Sequence, residues 1–222
     1  YEEWEGPVAR YGIDIFMTTT ALAESHKVCQ SFLGAKLHDP KDPGADLQDM
    51  LVQVVSTLFD LMGRYADVWK GIKGSQDLRT FGLPYAVGLE PVPVKIDRLV
   101  SLFRQGAADL PPVWKSFLPE DVLRGVQEAA MRVPPSLSDE LFVRIVFAAA
   151  VGYTRKSLPR ETLIRSLIPL YLGKVATFVE ETRDAEAAEA EARLETLARV
   201  YESEKTSIVL AWDGKKKEET NP

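Results

Sequence analysis

Two short stretches of the chain concentrate residue types that can do chemistry. The first is Tyr11-Gly12-Ile13-Asp14, where a glycine permits close backbone approach and a carboxylate stands beside the start of a helical pattern. An acid so placed can accept a hydrogen bond from a sugar or acid hydroxyl, or act as a base. It can equally be a helix-start aspartate whose charge opposes the positive end of the helix dipole. The second stretch runs Gly34-Ala-Lys36-Leu-His38-Asp39-Pro40-Lys41-Asp42-Pro43. One imidazole and carboxylate oxygens suit a divalent ion such as Mn²⁺, and the lysines suit phosphate. The bland alternative is that Asp39 and Asp42 are turn residues of a proline-stiffened loop. His26 reads as a solvated turn residue and Cys29 as a small buried hydrophobe. The chain carries no glycine-rich phosphate loop, no paired-histidine zinc motif and no serine or cysteine nucleophile elbow.

Helices and one strand must position these clusters. Ile13, Met17, Thr20, Ala21 and Glu24 place one stripe on a helix over 11–24, in spite of the poor helix propensity of Thr18-Thr19-Thr20. A short strand is expected over 28–33, ended by Gly34, and a loop over 37–45. Leu47, Leu51, Val54, Val55, Leu58 and Met62 recur at steps of three and four and predict a long helix, with Asp46 as its N-cap. The glycines and prolines of 71–95 predict an extended connection without regular structure, and so an internal boundary. Helical patterns then follow over 96–108, 119–131, 138–154, 159–182 and 184–204. The run Leu141-Phe-Val-Arg-Ile-Val-Phe-Ala-Ala-Ala-Val is apolar nearly all round and belongs at a bundle centre. Pro169 should bend its helix near Arg165, unless two helices meet there. In the last helix Leu194, Leu197 and Tyr201 share a face, and Glu189 with Arg193 and Glu195 with Arg199 are spaced to pair. Residues 213–222 read as a frayed tail. The fold class is mainly α, a helical bundle with a minor strand element near the N-terminus.

Composition narrows the function classes. The 222 residues are 45% hydrophobic and 27% charged, enough to bury a core. The formal charge of -6 gives no electrostatic reason to bind nucleic acid or anionic lipid. Most of that charge lies between Glu181 and Glu204, where eight acids face three arginines. A single cysteine excludes a disulfide framework and suits a reducing, cytoplasmic setting. No stretch approaches the roughly 20 apolar residues that a bilayer span needs.

At the two clusters the chain resembles a known family. Tyr-Gly-Ile-Asp, then Met-Thr-Thr-Thr-Ala, then Val-Cys-Gln-Ser-Phe-Leu-Gly-Ala-Lys, then His-Asp-Pro-Lys-Asp-Pro is similar to the late catalytic region of bacterial GT-A glycosyltransferases of the glucosyl-3-phosphoglycerate, glucosylglycerate and mannosylglycerate synthase kind. Ser166-Leu-Ile-Pro-Leu-Tyr-Leu-Gly-Lys-Val-Ala-Thr-Phe-Val179 resembles the helical segment that follows in such proteins. The resemblance implies that His38 ligates a divalent metal, Mn or Mg, bridging the diphosphate of a nucleotide diphosphate sugar. It implies that Asp14 positions a small hydroxyl acceptor, glycerate-like, with Tyr11 and Gly12 at that substrate site; Lys36 and Lys41 are assigned to phosphate on chemical grounds.

The family also needs an Asp-x-Asp motif and an earlier nucleoside-binding half, and none of the fourteen aspartates here is two residues from another. The chain opens at Tyr1 without a methionine. The expected organisation is therefore the C-terminal end of a catalytic domain over 1–45, a helical domain over 46–212 and a tail over 213–222, inactive without the preceding half. The rival expectation is a non-catalytic all-α interaction or homo-oligomerisation domain, for which the apolar and acidic helices are equally suited.

Overall fold

The computed structural model describes residues 6–33, 47–83 and 94–214. The architecture is mainly α with one small parallel sheet near the N-terminus. Two compact units divide between Val94 and Lys95. The division falls at the far end of the glycine- and proline-rich connection, so the helix that follows residue 46 packs with the first unit.

In the first unit a 3-10 turn, Pro7–Ala9, leads into α1 (Ile13–Ala23), β1 (Gln30–Ser31), α2 (Gln48–Arg64), α3 (Ala66–Trp69) and β2 (Thr80–Phe81). The end of α1 is fixed by Ser25 at φ 61°, which lets the His26 N–H reach back to Ala21 O at 2.9 Å. β1 and β2 pair in parallel with Gln30 opposite Thr80 and Ser31 opposite Phe81. Parallel neighbours need a crossover, and α2 with α3 supplies it. The strand expected over 28–33 is thus only its middle, and 71–95, read as irregular, contributes the partner strand. Two-residue strands carry too little periodicity to be seen. Cys29, expected buried, is exposed beside this open pair.

α1 and the 3-10 turn both pack on α2. The deepest positions of α2 are Thr57, Phe59 and Leu61; the stripe predicted from Leu51, Val54, Val55, Leu58 and Met62 is half-buried. Leu47 stands at the N-cap, and Asp46, the expected cap, lies outside the described residues.

The second unit comprises α4 (Ile96–Asp109), α5 (Pro111–Trp114), α6 (Glu120–Met131), α7 (Asp139–Thr154), α8 (Arg160–Ser166), α9 (Ile168–Glu181), α10 (Ala187–Ser203) and α11 (Lys205–Asp213). α7 is capped by Ser138, whose hydroxyl accepts the Leu141 N–H at 3.3 Å. As its apolar circumference predicts, it lies centrally, against α6, α8, α10 and α11. α4 lies along α9, and Trp114 is fully buried with its indole N–H on Ser166 O at 3.1 Å. At Pro169 two helices meet: α8 stops at Ser166, Leu167 is the joint, and the proline occupies the first turn of α9, where its missing N–H costs nothing. Arg160–Glu181 is the one stretch among the described residues apolar and long enough to cross a bilayer, yet over half of it is buried inside this unit, as a core helix pair would be. A membrane span is not indicated.

Candidate functional site

The Tyr11–Asp14 turn is built by a clamp on both sides. Pro7 O accepts the Gly12 N–H at 3.0 Å and the Arg10 N–H at 3.2 Å, and the 3-10 turn thereby folds back under the chain. From α2, Gln53 Oε1 accepts the Tyr11 N–H at 3.2 Å. Gly12 is buried, and a Cβ there would overlap Thr57 Oγ1 and stand 2.8 Å from Pro7 O. No other residue fits this approach. Thr57 Oγ1 is itself anchored on Gln53 O at 2.9 Å, so Gln53 and Thr57, one helical turn apart, face the bend together.

Asp14 follows in the first turn of α1, with its side chain exposed. That position suits both of its readings, an acid offered to a ligand and an acid against the helix dipole. Tyr11 is half-exposed beside it. The structure therefore gathers Tyr11, Gly12 and Asp14 with two residues the sequence did not single out, Gln53 and Thr57. Nothing in the sequence sets them apart, because Gln48, Asp49, Ser56, Asp60 and Arg64 of the same helix are polar too. Thr20 Oγ1, further along α1, is buried with no hydrogen-bond partner among the described residues.

Lys36, His38 and Lys41 lie outside the described residues, as do Asp39 and Asp42. Among the described residues no group of three His, Cys, Asp or Glu side chains stands close enough to hold a cation. His26, exposed, has its Nε2 3.6 Å from Glu24, which also accepts the Tyr65 hydroxyl.

The strongest electrostatics in the second unit belong to a closed cluster. Asp139 accepts hydrogen bonds from Lys174 Nζ and from both terminal nitrogens of Arg193 at 2.6 and 3.0 Å. Lys174 also reaches Leu137 O at 3.2 Å, and Arg193 binds Glu181 at 2.7 Å. Burial pushes the Asp139 carboxyl up, but the hydrogen bonds and charges of Arg193 and Lys174 outweigh it and hold it below its ordinary value. Tyr201, against Phe147 at 5.6 Å between ring centroids, is held protonated by burial and by the Asp139 charge. Every charge here is answered from within, so the cluster is a bolt joining α7, α9 and α10. Arg193 was expected to pair with Glu189. It does not, because the Glu189 carboxylate caps α10 by accepting the Glu186 N–H at 2.9 Å. The other expected pair, Glu195 with Arg199, is present at 3.8 Å on the surface.

Compared with known protein families, curated proteins and solved structures, the chain matches none.

Proposed function

We propose that the chain is the acceptor-side, C-terminal portion of a metal-dependent GT-A-like glycosyltransferase that moves a hexose from a nucleotide diphosphate sugar to a small, glycerate-like hydroxyl acceptor. The observation that carries the reading is the β1–α2–β2 crossover unit. Parallel strands belong to α/β sheets covered on both faces. Here the ends of the pair leave Phe32, Leu33, Phe81 and Leu83 between 44% and 91% exposed. A two-stranded parallel piece with open apolar flanks is what the margin of a larger α/β domain looks like. Its first strand leads in sequence to the stretch that carries Lys36, His38 and Lys41, and the helix before it carries Asp14 in its first turn.

In this reading the Asp14 carboxylate accepts a hydrogen bond from the acceptor hydroxyl and takes its proton as the hydroxyl oxygen bonds to the anomeric carbon. The bond from that carbon to the diphosphate oxygen breaks, and the electron pair leaves with the diphosphate. Lys36 and Lys41 offset the charge that develops there. His38, with a neighbouring carboxylate, would hold the divalent ion, which supplies Lewis-acid stabilisation of the leaving group.

The test uses the full gene product, with whatever the gene encodes before Tyr1. With Mn²⁺, nucleotide diphosphate hexoses and glycerate or 3-phosphoglycerate, it should release nucleoside diphosphate, whereas the 222-residue chain alone should not. His38→Ala should lower the rate and raise the Mn²⁺ concentration for half-maximal activity, with the metal-free thermal midpoint within a few degrees of wild type. A full product that transfers no hexose, or keeps its metal dependence after His38→Ala, overturns the assignment.

A second reading, an interaction module, draws on the exposed Met131, Val133, Leu194 and Leu210 of the second unit. It requires the purified chain to self-associate. A sedimentation mass that stays monomeric at high micromolar concentration removes it.

A further inference from the structure

We infer that Gln53 is a positioning residue for the acceptor site: through its hydrogen bond to the Tyr11 N–H it fixes the turn that aims Asp14. The inference rests on the glycosyl-transfer reading and adds to it a residue on another element. Asp14 is exposed and sits one residue into α1, and no hydrogen bond or ion pair among the described residues locks its side chain. Its place is inherited from the turn before it, and that turn is held both from within its own stretch and from α2. The Pro7 carbonyl holds Gly12 from below at 3.0 Å, a contact within the same local stretch. Gln53 Oε1 holds Tyr11 at 3.2 Å from 42 residues away. It is thus a hydrogen bond that ties the bend to the body of α2.

Thr57 sets the distance of approach, since its hydroxyl fills the place of a Gly12 side chain. Gln53 sets the register along the helix. Without its oxygen the Tyr11 N–H lies at the surface and is readily hydrated, so the fold loses little while the turn is free to slide. A displacement of about 1 Å in a reacting group is enough to cost on the order of a hundredfold in rate. A small change in stability with a large change in turnover separates this role from a structural one.

Two variants and two readouts test it. Gln53→Leu keeps the bulk and removes the acceptor; Gln53→Glu keeps an acceptor oxygen. In the 222-residue chain, the Tyr11 amide should exchange with solvent at least tenfold faster in Gln53→Leu and near the wild-type rate in Gln53→Glu. In the full gene product, Gln53→Leu should lower kcat/KM for the acceptor at least tenfold while KM for the sugar nucleotide stays within twofold, and Gln53→Glu should recover most of the loss. Unchanged Tyr11 exchange in Gln53→Leu overturns the clamp. Faster exchange with unchanged transfer overturns the positioning role alone. Absence of transfer by the wild-type product overturns the glycosyl-transfer reading, and the role with it.

Discussion

Asp139→Asn is expected to destabilise the second unit by about 3–5 kcal/mol, the usual cost of stripping one partner from a buried ion pair. The carboxylate and the Lys174 ammonium are both under a tenth exposed, at 8% and 7% of their side chains. An amide in place of the carboxylate leaves that ammonium buried without a counter-charge. Arg193 is a quarter exposed and keeps Glu181, so it contributes less to the loss. Replacing both buried groups, as in Asp139→Asn with Lys174→Met, should therefore cost less than the sum of the two single changes. Amide exchange at the slowest sites of α7 and α9 reads this unit directly, apart from the first. A double-variant loss equal to the sum of the two single losses would show that the ammonium finds water, and that the cluster is not the bolt described.

The same group sets an acid limit. Its folded pKa lies below the unfolded value of 3.8, so its stabilisation is complete well above that value and is lost as the pH falls through the folded pKa. Wild-type stability should decline from about pH 5 downward through the low-pH range. The Asp139→Asn chain, already lacking the contribution, should decline less over the same interval. Parallel acid profiles for the two would assign the decline to other carboxylates.

Much of the second unit is legible in the sequence, because its helices carry their own periodicity and their ends carry recognisable chemistry. Ser138 announces α7, Pro159 precedes α8, and the apolar circumference of α7 places it centrally. What escapes is information held in pairs of distant residues. β2 is two residues long and exists only because Gln30 N finds Arg79 O and Phe32 N finds Phe81 O. Arg193 has an acid four residues before it, yet is recruited by Asp139 from 54 residues away. On α2 the Gly12 turn takes the small polar Thr57 against it, and Thr57 is buried deeper than the leucine and valine stripe. At the candidate site the glycine and the acid are visible in sequence, while Gln53 looks like any polar residue of a half-buried helix.

Valine at Gly106 or Gly173 is expected to cost about 3 kcal/mol or more, and alanine up to about 2 kcal/mol, although alanine is the better helix former. The two glycines lie where α4 runs along α9. A Cβ on Gly106 would stand 2.7 Å from Pro169 Cγ, and one on Gly173 would stand 2.7 Å from Phe103 Cγ. Neither neighbour can step aside. Pro169 is a ring in the backbone of α9, and Phe103 is 1% exposed in the core. Overpacking a closed contact costs about 1–3 kcal/mol, against about 1 kcal/mol returned by helix propensity, so the clash wins. Valine adds two methyl groups and forfeits most of the return. Gly125 of α6 supplies the contrast, because a Cβ there meets Leu141 Cδ1 at 3.1 Å and Cδ2 at 3.2 Å, the free end of a half-buried side chain that can turn away. Gly125→Ala should be neutral or stabilising by up to about 1 kcal/mol. Denaturant unfolding followed by exchange at α4 and α9 amides orders the three alanine variants. If Gly106→Ala and Gly173→Ala prove as stable as Gly125→Ala, the α4–α9 helices are not packed backbone to side chain as closely as their glycines require.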